Sequence, residues 1–152
     1  MARLVNLKVS GVQRLVKGLD KATKTLADPT PANKSAAIEY EKWIKKNFQA
    51  KGGLHEDTSL KWDKTSKATD IAKKRMGRSP SNILVGRTGN LRSRWFITAN
   101  KRYGIIRSAV KYSYYHEYGK GVPKRKIFAR KKQLRKIVDP VYKLWVKKAI
   151  KF

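Results

Sequence analysis

The chain has 152 residues, of which 38 are lysine or arginine and only 10 are aspartate or glutamate, so its formal net charge is +28. This length suits one domain, and a hydrophobic share of 40% with four Trp, seven Tyr and four Phe excludes a disordered basic tail. The absence of cysteine excludes disulfides, thiolate metal sites and a cysteine nucleophile.

The N-terminal part of the sequence predicts two helices. Apolar residues recur at helical spacing over residues 10–27, and the proline-containing residues 28–31 end that helix. Its predicted apolar face is Val12, Leu15, Val16, Leu19 and Leu26. A second helix is predicted over residues 33–50, with a loop over residues 51–62. Its apolar stripe is Ala36, Tyr40, Trp43, Ile44 and Phe48.

A short third helix is predicted over residues 66–76, with Asp63 or Thr65 as its N-cap and Gly77 at its C-terminal end. The inward face of this helix is expected to consist of Ala68, Ile71, Ala72 and Met76. Residues 86–90 read as a turn, which leads into a strand over residues 92–99. Residues 104–110 read as its hairpin partner across residues 100–103.

Residues 112–118 fit a short helix or an irregular segment, ended by the glycines of residues 119–121. The last helix is predicted over residues 128–150, where Pro140 either kinks it or follows Asp139 as the cap of a new helix. We therefore predict an α+β fold with N-terminal helices, a small antiparallel β-sheet with a central hairpin, and a long C-terminal helix. The whole chain, residues 1–152, is expected to be one domain.

The charge is unevenly distributed along the chain. Residues 1–60 hold 11 basic and 6 acidic residues, whereas residues 61–152 hold 27 and 4. Large apolar side chains such as Trp95, Phe96 and Ile97 lie in the same basic half, so we expect that half to be folded with its charge projecting outwards. Self-repulsion at this net charge implies a polyanion or an acidic protein as partner.

The chemistry available to the chain argues against an enzyme. There are two histidines: His55 is expected to be solvated in a loop, and His116 to pack in a tyrosine-rich patch or to hydrogen-bond the backbone. A two-metal nuclease needs several convergent carboxylates, and Glu117 is the only acid between residues 71 and 136. We predict no catalytic residue, no cofactor and no metal, and the lack of a long apolar run predicts no membrane partner.

Basic side chains around the predicted hairpin and before the last helix are candidates for contact with a partner protein or DNA. They are Arg87, Arg92, Arg94, Lys101, Arg102, Lys124, Arg125, Lys126 and Arg130. Four tyrosines are candidates for an interface or, equally, for the core. They are Tyr112, Tyr114, Tyr115 and Tyr118. A non-specific nucleic-acid-binding protein remains an alternative on these grounds.

An ordered set of motifs runs from residue 62 to residue 128. A tryptophan loop at Trp62 is followed by Thr65 and a lysine-rich helix, and then by an Ile-Leu pair and a T-G-x-L turn at residues 88–91. After the hairpin come Y-Y-H-E-Y-G at residues 114–119 and V-P-K-R-K-I-F at residues 122–128. In this order the motifs resemble the phage virion-morphogenesis family, also described as tail-completion or head–tail joining proteins. The likeness spans about residues 60–150.

The resemblance implies a structural protein of the virion that forms a ring, expected to be a hexamer, in the neck of a tailed bacteriophage. Its implied partners are the connector proteins on the head side and the tail-tube or terminator proteins on the tail side. DNA would pass through the lumen of the ring without sequence-specific binding. The protein would be located in the virion, and in the host cytoplasm during assembly.

Overall fold

The computed structural model describes residues 10–79, 84 and 90–150, which form six α-helices and one antiparallel pair of strands. The elements are α1 (Ser10–Ala27), α2 (Thr30–Gln49), α3 (Lys67–Arg75), α4 (Asn90–Ser93), β1 (Trp95–Ala99), β2 (Gly104–Ser108), α5 (Tyr112–Tyr118) and α6 (Lys131–Ala149), with a short 3₁₀ turn at Thr58–Leu60. The predicted α+β fold with a hairpin and a long C-terminal helix is confirmed.

Helix α2 is the element against which most of the fold is assembled. It packs against α6, both strands and α4. The predicted apolar stripe is correct, since Ile44 and Phe48 are buried and Tyr40 and Trp43 pack against them. The helix begins at Thr30, three residues earlier than predicted. Pro31 is tolerated in its first turn because N–H groups there have no carbonyl partner within the helix, so the missing N–H of proline costs no hydrogen bond.

The hydrophobic core forms where α2 meets the loop after it, β1 and the chain before α6. The six core residues are Ile44, Phe48, Trp62, Leu91, Trp95 and Ile127. The rings of Phe48 and Trp62 meet edge to face, with centroids 5.1 Å apart. Burial of each such side chain stabilises the fold by about 1.5–3 kcal/mol.

Strands β1 and β2 form the predicted hairpin, in a register that pairs Trp95 with Ser108 and Ala99 with Gly104. The first strand is shorter than predicted, because residues 90–93 form a helical turn closed by the Arg94 N–H bond to the Asn90 carbonyl at 2.8 Å. The register ends at the Trp95–Ser108 pair, and one further bond, from the Ala109 N–H to the Arg94 carbonyl at 3.1 Å, closes that end of the hairpin.

The hairpin is tied closely to both long helices. Asn33 of α2 donates to the Asn100 carbonyl at 2.7 Å and accepts from the Tyr142 hydroxyl of α6 at 2.7 Å. A Cβ atom on Gly104 would lie 2.6 Å from the Asn33 carbonyl oxygen. Glycine at the start of β2 therefore permits the backbones of strand and helix to approach each other directly.

The last helix begins at Lys131, three residues later than predicted. Residues 128–130 are not helical, and the N–H groups of Phe128 and Ala129 donate to side chains of other elements instead. Pro140 lies inside α6, so the alternative of a new helix capped by Asp139 was wrong.

The larger apolar side chains of α3 and α1 are exposed in the fold. On α3, Ile71 is 52% exposed and Met76, its C-cap residue, is 60% exposed, so the predicted inward face was wrong. That helix is capped by Ser66, whose Oγ accepts from the Thr69 N–H, rather than by Asp63 or Thr65. On α1, Ala22 is buried in the region that meets α6, while the larger members of its apolar face are 38–50% exposed.

Candidate functional site

The segment 125–128 lies at the centre of the molecule and is fixed by side chains from three other regions. The Lys126 carbonyl accepts from Trp62 Nε1 at 3.0 Å. It also lies 2.9 Å from His55 Nε2, and since a carbonyl can only accept, that nitrogen carries the proton. The fully buried Asn47 of α2 donates to the Lys126 and Ile127 carbonyls at 3.3 and 3.4 Å.

Glu117 holds the same segment from the other side. Its buried carboxylate accepts from the Ile127 N–H at 2.6 Å and the Phe128 N–H at 3.2 Å through Oε2. Oε1 pairs with Lys126 Nζ at 2.9 Å. Both oxygens therefore make charge-assisted hydrogen bonds within the chain, which fixes α5 against the segment that enters α6.

Tyr40 completes the attachment at the beginning of α6. Its hydroxyl oxygen accepts from the Ala129 N–H at 3.0 Å. Burial raises the pKa of Tyr40 to about 12, although the hydrogen bond from Ala129 acts in the opposite direction. The phenol is therefore neutral at physiological pH.

These contacts define a framework: Tyr40, Asn47, His55, Trp62 and Glu117 around the segment 125–128. Its polar side chains orient the backbone of residues 126–129. The expectation that His55 is solvated was wrong, because its side chain is buried and its ring packs edge to face on Trp43 at 5.3 Å. The structural role of Asn47 was not predicted either. The signal in the sequence was a polar residue directly beside Phe48, on the apolar stripe of α2.

The four candidate tyrosines lie on the outside of the molecule. Tyr112, Tyr114, Tyr115 and Tyr118 are 39–59% exposed, so they do not belong to the core of this chain. Tyr114 packs on Tyr118 with centroids 4.7 Å apart, and Lys120 Nζ lies 5.1 Å from the Tyr114 ring centre. This group on and beside α5 forms an exposed surface of aromatic and cationic groups, which we call the tyrosine surface.

The predicted packing of His116 in the tyrosine-rich patch is confirmed by its edge contact with Tyr112, at 6.4 Å between ring centres. Burial, and secondarily the nearby Arg125, lower the pKa of His116 below its ordinary value. A hydrogen bond to the Pro123 backbone partly opposes that shift. The imidazole is therefore neutral at physiological pH.

The candidate basic residues separate into two groups. Arg94, Lys101, Arg102 and Lys124 are exposed, and Arg92 is half-buried, so five candidates keep a position from which a partner can be contacted. Lys101 and Arg102 lie together in the hairpin turn, where Asn100 Oδ1 accepts from the Arg102 N–H at 2.8 Å. Arg87 lies outside the described residues.

Three other candidates are engaged within the chain. Lys126 is half-buried against Glu117 and lies over the Tyr118 ring at 5.3 Å, and Arg130 pairs with Asp57 at 3.0 Å. Arg125 is only 5% exposed, so its side chain does not lie on the outer surface with the other basic candidates. Lys126 and Arg130 are engaged by acidic side chains that the fold brings close to them, and these acids lie 9 and 73 positions away in the sequence.

The described part of the chain has neither a cluster of metal-binding side chains nor a helix that could span a membrane. No group of three or more histidine, cysteine, aspartate or glutamate side chains is placed to hold a metal ion among residues 10–79, 84 and 90–150. Within the same residues, no helix has the length and apolar character needed to cross a bilayer.

Comparisons with known proteins give no independent assignment. No protein-family model matches the chain, and neither the curated proteins nor the solved structures contain a significant match.

Proposed function

We propose that this chain is a structural virion protein of a tailed bacteriophage, which acts in the neck as a tail-completion or head–tail joining ring through which DNA passes. The proposal depends mainly on one observation: the motifs that resemble the virion-morphogenesis family lie close together in the fold. Trp62, Leu91 and Ile127 belong to one hydrophobic core, and Glu117 bonds the backbone of the same segment. Motifs that are separated in sequence therefore serve one structural framework.

The chemistry of that framework supports a structural role. Glu117 has both oxygens engaged, and His55 Nε2 and Asn47 Nδ2 bond the backbone of residues 126 and 127. His55 Nδ1 and Asn47 Oδ1 have no partner in the described residues, but they are inaccessible to solvent and so out of reach of a substrate. A general base needs a free acceptor within reach of a substrate proton. The framework offers rigid geometry instead, which suits a protein that assembles without turnover.

Exposed apolar surface supports assembly into an oligomer. Val12, Leu15, Val16 and Leu19 form one side of α1 and are each about half exposed. Contiguous apolar surface of this kind marks a site of protein contact in soluble proteins. In a ring, each copy can cover this face of its neighbour.

The charge supports a partner beyond the chain itself. Each of the ten acidic residues lies in the described part of the chain, and even if every one paired with a cation, 28 of the 38 cations would lack an acidic partner. These cations repel one another, and the repulsion increases when copies come together in a ring. Acidic neighbours and passing DNA offset that repulsion in the proposed neck.

Sedimentation velocity of the purified full chain at about 150 mM salt tests the assembly step. The proposal predicts a closed species of about 105 kDa, six times 17.5 kDa, which forms without DNA. A monomer at all concentrations, with and without a 30-base-pair duplex, would contradict the ring.

A non-specific nucleic-acid-binding protein is the second candidate, and the tyrosine surface favours it. Exposed aromatic rings beside lysines can stack bases and neutralise phosphates. This candidate predicts a monomer whose duplex affinity falls with salt at a log–log slope of about −0.9 for each phosphate neutralised. Weak duplex binding at about 150 mM salt together with a discrete ring favours the neck protein.

A further inference from the structure

A cavity of about 360 Å³ lies between the beginning of α3, α5 and the segment before α6. This size falls in the range of about 300–1,000 Å³ that is typical of ligand pockets. Its walls carry basic and hydroxyl side chains from three separate parts of the chain. They include Lys64, Ser66, Thr69, Lys73, His116 and Arg125.

Arg125 is the unusual member of this wall. It is only 5% exposed, and its Nε is inaccessible to solvent and has no hydrogen-bond partner in the described part of the chain. No carboxylate of those residues lies within 4 Å of its charged nitrogens, and Asp63 acts on it only from a longer range. A buried guanidinium that lacks a close anion is costly, unless an anion is bound.

Lys73 on the same wall adds positive charge near Arg125. Burial and the positive charge of Arg125 lower the pKa of Lys73 and of His116, while Asp70 acts on Lys73 in the opposite direction. His116 Nδ1 is also buried without a partner in the described residues. The Arg125 guanidinium therefore lies beside a second cation and has no close anionic partner among the described residues.

We infer that this cavity is an anion site that takes a phosphate group. Arginine presents a fork of donors that matches the oxygens of a phosphate, and Lys64 and Lys73 add charge from the side of α3. The Ser66 and Thr69 hydroxyls lie on the same wall and can donate to further oxygens. A tetrahedral oxyanion with several acceptors suits this set better than a carboxylate. The inference goes beyond the proposed neck function and does not depend on it.

The test uses two double variants with the same change in net charge. Lys64→Gln with Lys73→Gln removes two cations from the wall of the cavity. Lys67→Gln with Lys74→Gln removes two exposed cations of α3 that do not line it. Inorganic phosphate, deoxyadenosine monophosphate and a 12-nucleotide DNA strand without terminal phosphates are titrated at constant ionic strength, with acetate as the comparison anion.

We expect inorganic phosphate to bind the wild type and the Lys67/Lys74 variant equally, and the Lys64/Lys73 variant about tenfold more weakly. The Nε–H resonance of Arg125 should shift in the wild type on addition of phosphate, which gives a readout that needs no substitution in the cavity. If the Lys64/Lys73 substitutions weaken the binding of the mononucleotide, the phosphate comes from a monoester. If they weaken the binding of the DNA strand, it comes from a nucleic-acid backbone.

Equal affinity of the two double variants for all three probes would overturn the inference, because the cations would then act only through net charge. The same conclusion would follow if acetate bound as tightly as phosphate. An Arg125 resonance that does not move at saturating phosphate would also overturn it, whatever the assembly state of the protein.

Discussion

Glu117 demonstrates how much of this fold depends on one side chain. It is the only acid between residues 71 and 136, and it is buried with three hydrogen bonds to the segment that leads into α6. In the sequence it resembles one more polar residue beside a histidine. In the fold, Glu117 connects α5 to the segment that leads into α6, and no other carboxylate of the described residues bonds that segment.

Replacement of Glu117 with Gln should destabilise the protein by about 2–4 kcal/mol. An amide has one acceptor oxygen, so one or more of the buried donors would lose its partner. Urea unfolding of the full chain measures the change. Glu39→Gln is the matched control, since Glu39 pairs with Lys42 on an exposed face and should cost no more than about 0.5 kcal/mol. Equal effects of the two substitutions would contradict the role assigned to Glu117.

Tyr40 gives a prediction about alkaline pH. Its pKa is raised from 10.0 to about 12 in the fold, so between these values the unfolded chain releases the phenol proton while the folded chain retains it. Stability from this group is complete below pH 10 and is lost as the pH rises to about 12, up to about 2.7 kcal/mol. Tyr40→Phe should be less sensitive to pH over this interval than the wild type in urea unfolding. Parallel pH profiles for the two proteins would contradict the assignment.

At the scale of elements, the predictions that held are those in which local pattern and packing agree. The period of apolar residues identified α2, and two apolar runs across a four-residue turn identified the hairpin. The helix boundary before α6 was predicted wrongly because residues distant in the sequence determine the local backbone structure there. The N–H groups of residues 128 and 129 bond to Glu117 and Tyr40, so these residues are not helical although the local pattern predicts a helix.

The buried polar framework was beyond sequence analysis for the same reason. His55 and Asn47 meet the carbonyls of residues 126 and 127, about 70–80 positions away in sequence. No spacing within a single element encodes such a contact. The apolar face of α1 is the opposite case: it is encoded within one helix, and its larger side chains are 38–50% exposed in the fold.

Assembly should depend on that face of α1. Leu19→Asp places a charge on the apolar side, and we expect it to convert the ring into smaller species in sedimentation velocity. Gln13→Asp is the matched control, because it adds the same charge on the exposed polar side of the same helix. If both variants form the ring as the wild type does, α1 does not lie at an interface between copies.

At the scale of the whole molecule, the charge of +28 takes on a more definite meaning. Part of it is built into the framework, as at Lys126, and part lines the cavity around Arg125. Other cations of the described residues are exposed on the hairpin turn, on α3, on the long helices and at Lys124. A rigid framework with a cationic exterior is what we expect of a component that adjoins DNA and acidic neighbours in a larger particle.

Electron microscopy of particles made without this protein tests the central proposal most directly. The gene is removed from the genome that encodes it and then supplied again from a plasmid. The proposal predicts separate heads and tails in the absence of the protein, and joined particles once it is restored. Joined, infectious particles in its absence would contradict the assignment to the neck.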